Sequence, residues 1–113
     1  MIKTFQEYQI QTAKTAIYPK EKIEDGINYC ILGLCGESGE ISNKFKKVLR
    51  DDGGKISDKK CKDLFDEVGD VLYYISELTT CLGYNLEDVA TSNINKLKDR
   101  QERNKITGSG DNR

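Results

Sequence analysis

Apolar residues recur every three or four positions along most of this chain, and only one proline, Pro19, interrupts the pattern. That spacing places them on one face of an α-helix, whereas a strand needs strict alternation. Alternating runs of β-branched residues are scarce. The sequence therefore predicts an all-α protein, and its 113 residues are enough for one core but not for two.

Capping residues and chain breakers divide the chain into four predicted helices. Thr4 and Glu7 form a capping box at the first helix, while Ser57 can cap the third and Asn85 the fourth. Gly83 supplies the left-handed residue that ends the third helix. Short connections predict an antiparallel bundle of about four helices, or half of one. The predicted helices cover about 4–17, 25–50, 58–82 and 85–104, the domain covers 1–107, and the polar segment 108–113 is a terminal tail or loop.

An acidic motif occurs twice, as CGESGEI at residues 35–41 and as FDEVGDV at residues 65–71. Each copy places a glutamate three residues before a second acidic residue, with a glycine between them. At 100° per residue, the two carboxylates of a pair lie about 60° apart on one helical face. Glu37 borders the apolar stripe of the second predicted helix, and Glu67 borders that of the third. Two acidic pairs are thus predicted to lie beside the core.

Charged carboxylates next to a core are costly unless they pair or bind a metal ion. Four converging carboxylates would repel one another, and a divalent cation removes that repulsion. Mg²⁺ prefers oxygen ligands and commonly links carboxylates to phosphates, and Mn²⁺ is an alternative ion for such a site. The sequence therefore predicts a Mg²⁺ site whose ligands are Glu37, Glu40, Glu67 and Asp70.

A solvated acidic face is the alternative interpretation of these pairs, since Glu40 could pair with Lys44 four residues later. A di-iron carboxylate bundle is excluded in its usual form, because it needs Glu-x-x-His pairs and the chain has no histidine. Gly39 and Gly69 lie inside predicted helices, where glycine costs about 1 kcal/mol relative to alanine. We therefore expect these two glycines to permit the close approach of another backbone.

The stretches GLCGESGEISNKFKKVLR and LFDEVGDVLYYISELTTCLGYNLEDVATSNINKLKDR resemble the MazG-like, all-α nucleoside triphosphate pyrophosphohydrolases. Residues 5–113 resemble the short single-domain branch of that family. The family signature is EExxE followed by ExxD, and Gly36 stands at its first glutamate in this chain. The residues that match the family's metal ligands are Glu37, Glu40, Glu67 and Asp70.

The resemblance implies Mg²⁺-dependent hydrolysis of a nucleoside triphosphate to the monophosphate and pyrophosphate, often with deoxynucleotides or non-standard nucleotides as substrates. It also implies a homodimer or homotetramer, because family members complete their helical bundles across subunits. Glu40, from its place in the motif, is the candidate catalytic base. A helical module that binds nucleotide and metal, or regulates, without turnover is the alternative function.

Phosphate groups also require cations from the protein. Lys44 and Lys47 each lie seven residues after a motif glutamate, which returns them to the same helical face. On the fourth predicted helix, Asn93, Lys96 and Arg100 form a polar stripe, and the segment KLKDR resembles the family's phosphate-contacting residues. These five residues are the candidate substrate-binding side chains.

Charge, hydropathy and cysteine content exclude several classes of function. A net charge of -1 provides no basic field for unspecific nucleic-acid binding. The apolar runs are far shorter than the ~20 residues needed to cross a bilayer, so no membrane partner is expected and a cytoplasmic location follows by default. The four cysteines lack CxxC spacing and are expected to be reduced, mostly buried thiols.

Overall fold

A computed structural model describes all residues, 1–113, and it contains four α-helices and no strand. The prediction of an all-α protein is therefore confirmed. The first helix ends two residues earlier than predicted, because Ala16 is already extended ahead of Pro19. The helices are α1 (Phe5–Thr15), α2 (Ile23–Asp51), α3 (Asp58–Cys81) and α4 (Leu86–Glu102).

Local capping explains the start of α1 and of α3. The Thr4 hydroxyl accepts a hydrogen bond from the Glu7 backbone N–H at 3.0 Å, and the Ser57 hydroxyl accepts one from Lys60 N–H at 3.2 Å. Both contacts satisfy amides that lack a partner inside the helix. Gly83, with φ of 81°, follows the end of α3 as the sequence predicts.

The start of α4 is capped by a distant residue. The Asn85 side chain makes no capping hydrogen bond, contrary to the prediction. Instead, the Gln9 side chain on α1 accepts a hydrogen bond from the Leu86 backbone N–H at 2.8 Å. The amide group of Gln9 also donates to the Tyr84 carbonyl at 3.0 Å. A side chain of α1 therefore holds the turn between α3 and α4.

The central helix of the fold is α3, which contacts each of the other three. Helix α2 runs antiparallel to it, since Gly26 near the start of α2 lies against the Cys81 sulfur at the end of α3. Helices α1 and α4 contact α3 and each other, and neither contacts α2. None of the four helices carries an apolar stretch that could span a bilayer.

A small polar centre lies where the α1–α2 connection meets α3. The Tyr18 hydroxyl donates to Glu77 Oε1 at 2.7 Å, and Glu77 is only 1% exposed. The Tyr18 ring stacks on Tyr29 of α2 with the ring centres 4.9 Å apart. Cys30 is buried here, with Cys81 beside it. The segment before α2 is thereby attached to both long helices.

The expectation of reduced, mostly buried cysteines holds for the reduced state but only partly for burial. All four thiols are unpaired. Cys30 is buried and Cys81 is half-buried, whereas Cys35 and Cys61 are exposed. Composition does not predict this difference, because the helical face on which each cysteine lies determines its exposure.

The chain buries little apolar surface for its length. The buried apolar side chains are Tyr18, Cys30, Val48 and Leu86 alone, and only Cys30 and Val48 are fully buried. The radius of gyration is 17.0 Å, against about 13 Å for a compact domain of this length. The accessible surface of 8453 Å² exceeds that of a compact monomer of this mass by about 2,200 Å². The four helices therefore form the predicted all-α bundle, but they leave much of their apolar surface exposed.

Large apolar side chains remain exposed on both long helices. They include Leu32 and Leu49 on α2, and Phe65 and Val68 on α3. A further groove of about 630 Å³ lies between the N-terminal segment, α1, α3 and α4. Its apolar lining includes Phe5, Tyr8, Leu72 and Ile94.

Candidate metal centre

The antiparallel α2–α3 pair brings three of the four predicted carboxylates together. Oxygen atoms of Glu37, Glu67 and Asp70 all lie within 4.8 Å of one another. Glu37 and Glu67 are half-buried and Asp70 is exposed, so the group lies at the edge of the helix interface. Carboxylate oxygens gathered in this way are the donor set that Mg²⁺ and Mn²⁺ prefer.

The fourth predicted residue, Glu40, lies outside this group of three. Its side chain is exposed, about one turn beyond Glu37 on α2. Its negative charge nevertheless acts on Glu37. The predicted roles of Glu40 as metal ligand and as general base stay predictions.

Close packing of α2 on α3 depends on Gly33. A Cβ atom at this position would lie 2.3 Å from the Cε1 atom of Tyr74, so only a hydrogen atom fits there. A Cβ atom at Gly39 or Gly69 would meet nothing within 4 Å. The expectation that these two glycines admit a neighbouring backbone is wrong within the chain, because both are on exposed faces of their helices.

The electrostatics of the three carboxylates are unfavourable without a cation. Burial raises the pKa of Glu37, and the adjacent carboxylates of Glu67, Asp70 and Glu40 raise this pKa further through their negative charges. The Oε2 atom of Glu67 is buried and has no hydrogen-bond partner. A buried oxygen without a partner normally costs about 1–3 kcal/mol of stability. This oxygen of Glu67 can therefore accept a ligand, such as a cation, beside the carboxylates of Glu37 and Asp70.

Lys44 is the one cation that contacts these carboxylates. Its Nζ atom lies 2.5 Å from Oε1 of Glu67 across the helix interface, and not against Glu40 on its own helix. Lys44 also lines a small cavity of about 200 Å³ with Lys47, Lys60 and Asp63. The alternative in which Glu40 pairs with Lys44 is therefore not what the structure shows.

Lys60 is a candidate residue that the sequence analysis missed. It precedes Glu67 by seven residues, just as Lys44 follows Glu37 by seven. Because α2 and α3 are antiparallel, both offsets lead toward the same end of the helix pair, where the two lysines line one cavity. The same seven-residue rule, applied backward along α3, would have identified Lys60.

Two tyrosines lie beside the carboxylates. Burial raises the pKa of Tyr74 to about 12, with a hydrogen bond to Tyr29 and the charge of Glu37 as further causes. Burial and the charge of Asp70 likewise raise the pKa of Tyr8. Both phenols thus stay protonated near neutral pH and can donate hydrogen bonds next to the acidic group.

The polar stripe of α4 is separate from this group within one chain. Asn93 and Lys96 line a different groove, together with Tyr84, Asp88 and Val89. Helix α4 makes no contact with α2. The structure therefore does not bring these two predicted substrate-binding residues to Glu37 within the chain.

Arg100, the remaining predicted substrate-binding residue, is buried at the end of α4. Its guanidinium donates to the Asp111 carbonyl at 2.6 Å. The Arg113 side chain donates to the Gly110 and Ile106 carbonyls, and Arg103 donates to the Arg113 carbonyl. Segment 108–113 therefore folds back on α4 as a loop, and Arg100 holds it there.

Comparisons with known proteins agree with the sequence pattern. Residues 27–104 match the model of the MazG nucleotide pyrophosphohydrolase domain. The chain is 47% identical over 110 residues to the Gene 37 protein of Mycobacterium phage L5, an alignment that covers 94% of this chain and 96% of that protein. No solved structure matches the chain.

Proposed function

The chain belongs to the family of MazG nucleotide pyrophosphohydrolase domains, and on that premise we propose that it hydrolyses a nucleoside or deoxynucleoside triphosphate to the monophosphate and pyrophosphate with Mg²⁺. Family membership supports a hydrolase of this general type. The observation that carries the more specific proposal is the convergence of Glu37, Glu67 and Asp70 from two helices.

The donor set fits Mg²⁺. All three groups are carboxylates, which are hard oxygen ligands, and one oxygen of Glu67 is buried without a partner. Burial and the neighbouring carboxylates raise the pKa of Glu37, and a bound cation would offset both effects. A bound divalent ion would neutralise charge on the substrate phosphates and lower the pKa of a water molecule. Mn²⁺ is expected to substitute for Mg²⁺.

Glu37, Glu67 and Asp70 would hold the ion at the edge of the α2–α3 interface, and the Tyr74 hydroxyl, whose pKa is raised in part by the charge of Glu37, could donate a hydrogen bond there. Glu40, which is exposed beside them, acts as the general base that accepts a proton from the attacking water. Glu40 can also complete the metal ligands after a rotamer change.

The substrate phosphates require cations beside this centre. Lys44 and Lys47 line the cavity next to it and bind the phosphates from the same subunit. Asn93 and Lys96 serve a site on a neighbouring copy, because α4 does not contact α2 within the chain. Arg100 does not contact the phosphates in this proposal; it holds the 108–113 loop against α4, the helix that carries Asn93 and Lys96.

We propose that the chain functions as a homodimer or homotetramer. The excess surface of about 2,200 Å² per chain corresponds to a total interface of about 4,400 Å² for a dimer, within the range of obligate interfaces. The exposed apolar residues of α2 and α3 provide the apolar contact surface that such an interface needs. A second copy of this chain is therefore the expected partner.

A panel of nucleoside and deoxynucleoside triphosphates with Mg²⁺ tests the proposed reaction. We expect pyrophosphate, and not orthophosphate, as the inorganic product. Glu67→Gln should abolish turnover because it removes a ligand charge. Asp66→Asn is the matched control, since Asp66 is adjacent, exposed and paired with Lys62 outside the site.

Three results would contradict or redirect this proposal. Orthophosphate as the only product would contradict attack at the α-phosphorus. Full activity of Glu67→Gln would exclude its assigned role as a ligand. Binding of nucleotide and Mn²⁺ without turnover of any triphosphate would favour the non-catalytic module instead.

A further inference from the structure

The ion pair between Lys44 and Glu67 differs from every other ion pair of the chain. It is the only one that joins two helices, since the remaining four link residues one or four positions apart. Its Glu67 side chain is 13% exposed, while that of Lys44 is 37% exposed. A partly buried carboxylate is therefore held by an ammonium group that reaches in from solvent.

Charge explains why Lys44 occupies this position. Three carboxylates lie within 4.8 Å of one another, and without compensation they would repel strongly. The Lys44 ammonium offsets one of these negative charges, whereas a divalent cation offsets two. A divalent ion is thus the stronger competitor for the Glu67 oxygens, and its own charge would repel the ammonium group.

The structure also contains a place for Lys44 after it leaves Glu67. The adjacent cavity of about 200 Å³ is lined by Lys44, Lys47 and Lys60, with Asp63 as its one acidic residue. Neither Lys47 nor Lys60 forms an ion pair. A flexible four-carbon stem allows the Lys44 ammonium to turn from the carboxylate to this cavity.

We propose that Lys44 is an exchangeable counter-ion: it holds Glu67 until a divalent cation binds, and is then released to complete, with Lys47 and Lys60, a pyrophosphate-binding subsite. This inference rests on the proposed function, because it assigns the regulation of that same metal centre. Metal binding and phosphate binding are thereby coupled through one side chain. The phosphate subsite becomes complete only when the metal is present.

Titration with Mn²⁺ in the absence of nucleotide, followed by the electron paramagnetic resonance signal of the free ion, tests the competition. Lys44→Met removes the competing charge while retaining most of the side-chain volume, so it should bind Mn²⁺ severalfold more tightly than the wild type. Lys46→Met is the matched control, because it removes the same charge from an exposed position without an ion pair on α2. Equal or weaker Mn²⁺ binding by Lys44→Met overturns the inference.

Binding of inorganic pyrophosphate, measured by calorimetry with and without Mg²⁺, tests the coupling. With Mg²⁺ present, Lys44→Met and Lys60→Met should both lose affinity for pyrophosphate. Without Mg²⁺, Lys44→Met should match the wild type, because its ammonium group is then held by Glu67. An equal loss of affinity with and without the ion would show that Lys44 is not exchanged.

A measurement on the wild type avoids dependence on the folding of variants. Acetylation of lysines, followed by peptide mass spectrometry, should modify Lys44 faster after Mn²⁺ is added, while Lys46 reacts at an unchanged rate. No change at Lys44 under saturating Mn²⁺ overturns the exchange. Absence of Mn²⁺ binding to the wild type and to Lys44→Met overturns the metal site itself, whereas binding without any response of Lys44 overturns this inference alone.

Discussion

Tyr18 illustrates how one side chain fixes a connection in this fold. Its hydroxyl is the hydrogen-bond donor to Glu77 Oε1 at 2.7 Å, and the other Glu77 oxygen is buried without a partner. Tyr18→Phe would leave both oxygens of a buried carboxylate unsatisfied. We expect a loss of about 2 kcal/mol in the free energy of unfolding, measured by urea denaturation at a fixed protein concentration. Tyr84→Phe is the control, since Tyr84 is 65% exposed, and an equal loss in both variants would contradict this account.

The same hydroxyl predicts a loss of stability in alkali. Burial raises the pKa of Tyr18 above its ordinary value of 10.0, and hydrogen bonds with Cys81, Cys30 and Glu77 raise it further. The unfolded chain releases this proton at about pH 10, whereas the folded chain retains it. The stabilisation that the Tyr18 hydroxyl provides is therefore fully present below that pH and is lost as the pH rises above it. The melting temperature should decline between pH 10 and 11. Tyr18→Phe should show a shallower decline, and an identical slope would contradict the role of Tyr18.

At the residue level, the sequence predicts only what depends on local spacing. Glu37 can be assigned to a helical face from its neighbours, as can Glu67 and Asp70, because the helical period is local. The partner of Lys44 cannot be assigned in this way. Whether Lys44 meets Glu40 or Glu67 depends on how far α2 is rotated and shifted against α3, which is a property of the pair.

Helix α2 contains glycines with opposite expected effects. A Cβ atom at Gly33 would overlap the Tyr74 ring, whereas one at Gly36 would meet nothing within 4 Å. We expect Gly33→Ala to cost about 2 kcal/mol through displacement of Tyr74. Gly36→Ala should instead stabilise the chain by about 1 kcal/mol, because alanine is the better helix former. Thermal unfolding of both variants checks the contrast, and a stabilised Gly33→Ala would show that Tyr74 moves aside freely.

The boundaries of the elements were predictable where the capping group is local and not where it is distant. Thr4 and Ser57 lie next to the helices that they cap, and the sequence identifies both. The cap of α4 comes from Gln9, 77 positions away along the chain. Asn85 has the right residue type at the right position, but the packing of α1 against the turn provides another acceptor and leaves Asn85 without that role.

The whole molecule shows why the pattern of apolar residues predicts helices better than it predicts their assembly. Periodicity identifies the apolar stripe of each helix but not the surface that covers it. Only part of each stripe of α2 and α3 is covered within the chain, and Leu32 remains 72% exposed. The radius of gyration of 17.0 Å shows that the chain does not fold compactly enough to cover these faces itself. They can leave water only by contact with another molecule.

Val68 provides the test of that assembly. It is 56% exposed on α3, so an aspartate there disturbs little within one chain. In a homo-oligomer the same change places a charge in an apolar interface, which costs several kcal/mol. Sedimentation equilibrium should give a multiple of 12.8 kDa for the wild type and a lower mass for Val68→Asp.

A control variant and the dependence of the melting temperature on protein concentration distinguish a loss of assembly in Val68→Asp from a folding defect. Ile17→Asp changes a side chain that is 97% exposed in the α1–α2 connection, and it should retain the wild-type mass. Because an oligomer is stabilised by mass action, the wild-type melting temperature should rise with protein concentration and that of Val68→Asp should rise less. A wild type that sediments at 12.8 kDa with a melting temperature independent of concentration would show that α2 and α3 keep their apolar faces in water, and that Asn93 and Lys96 serve no second subunit.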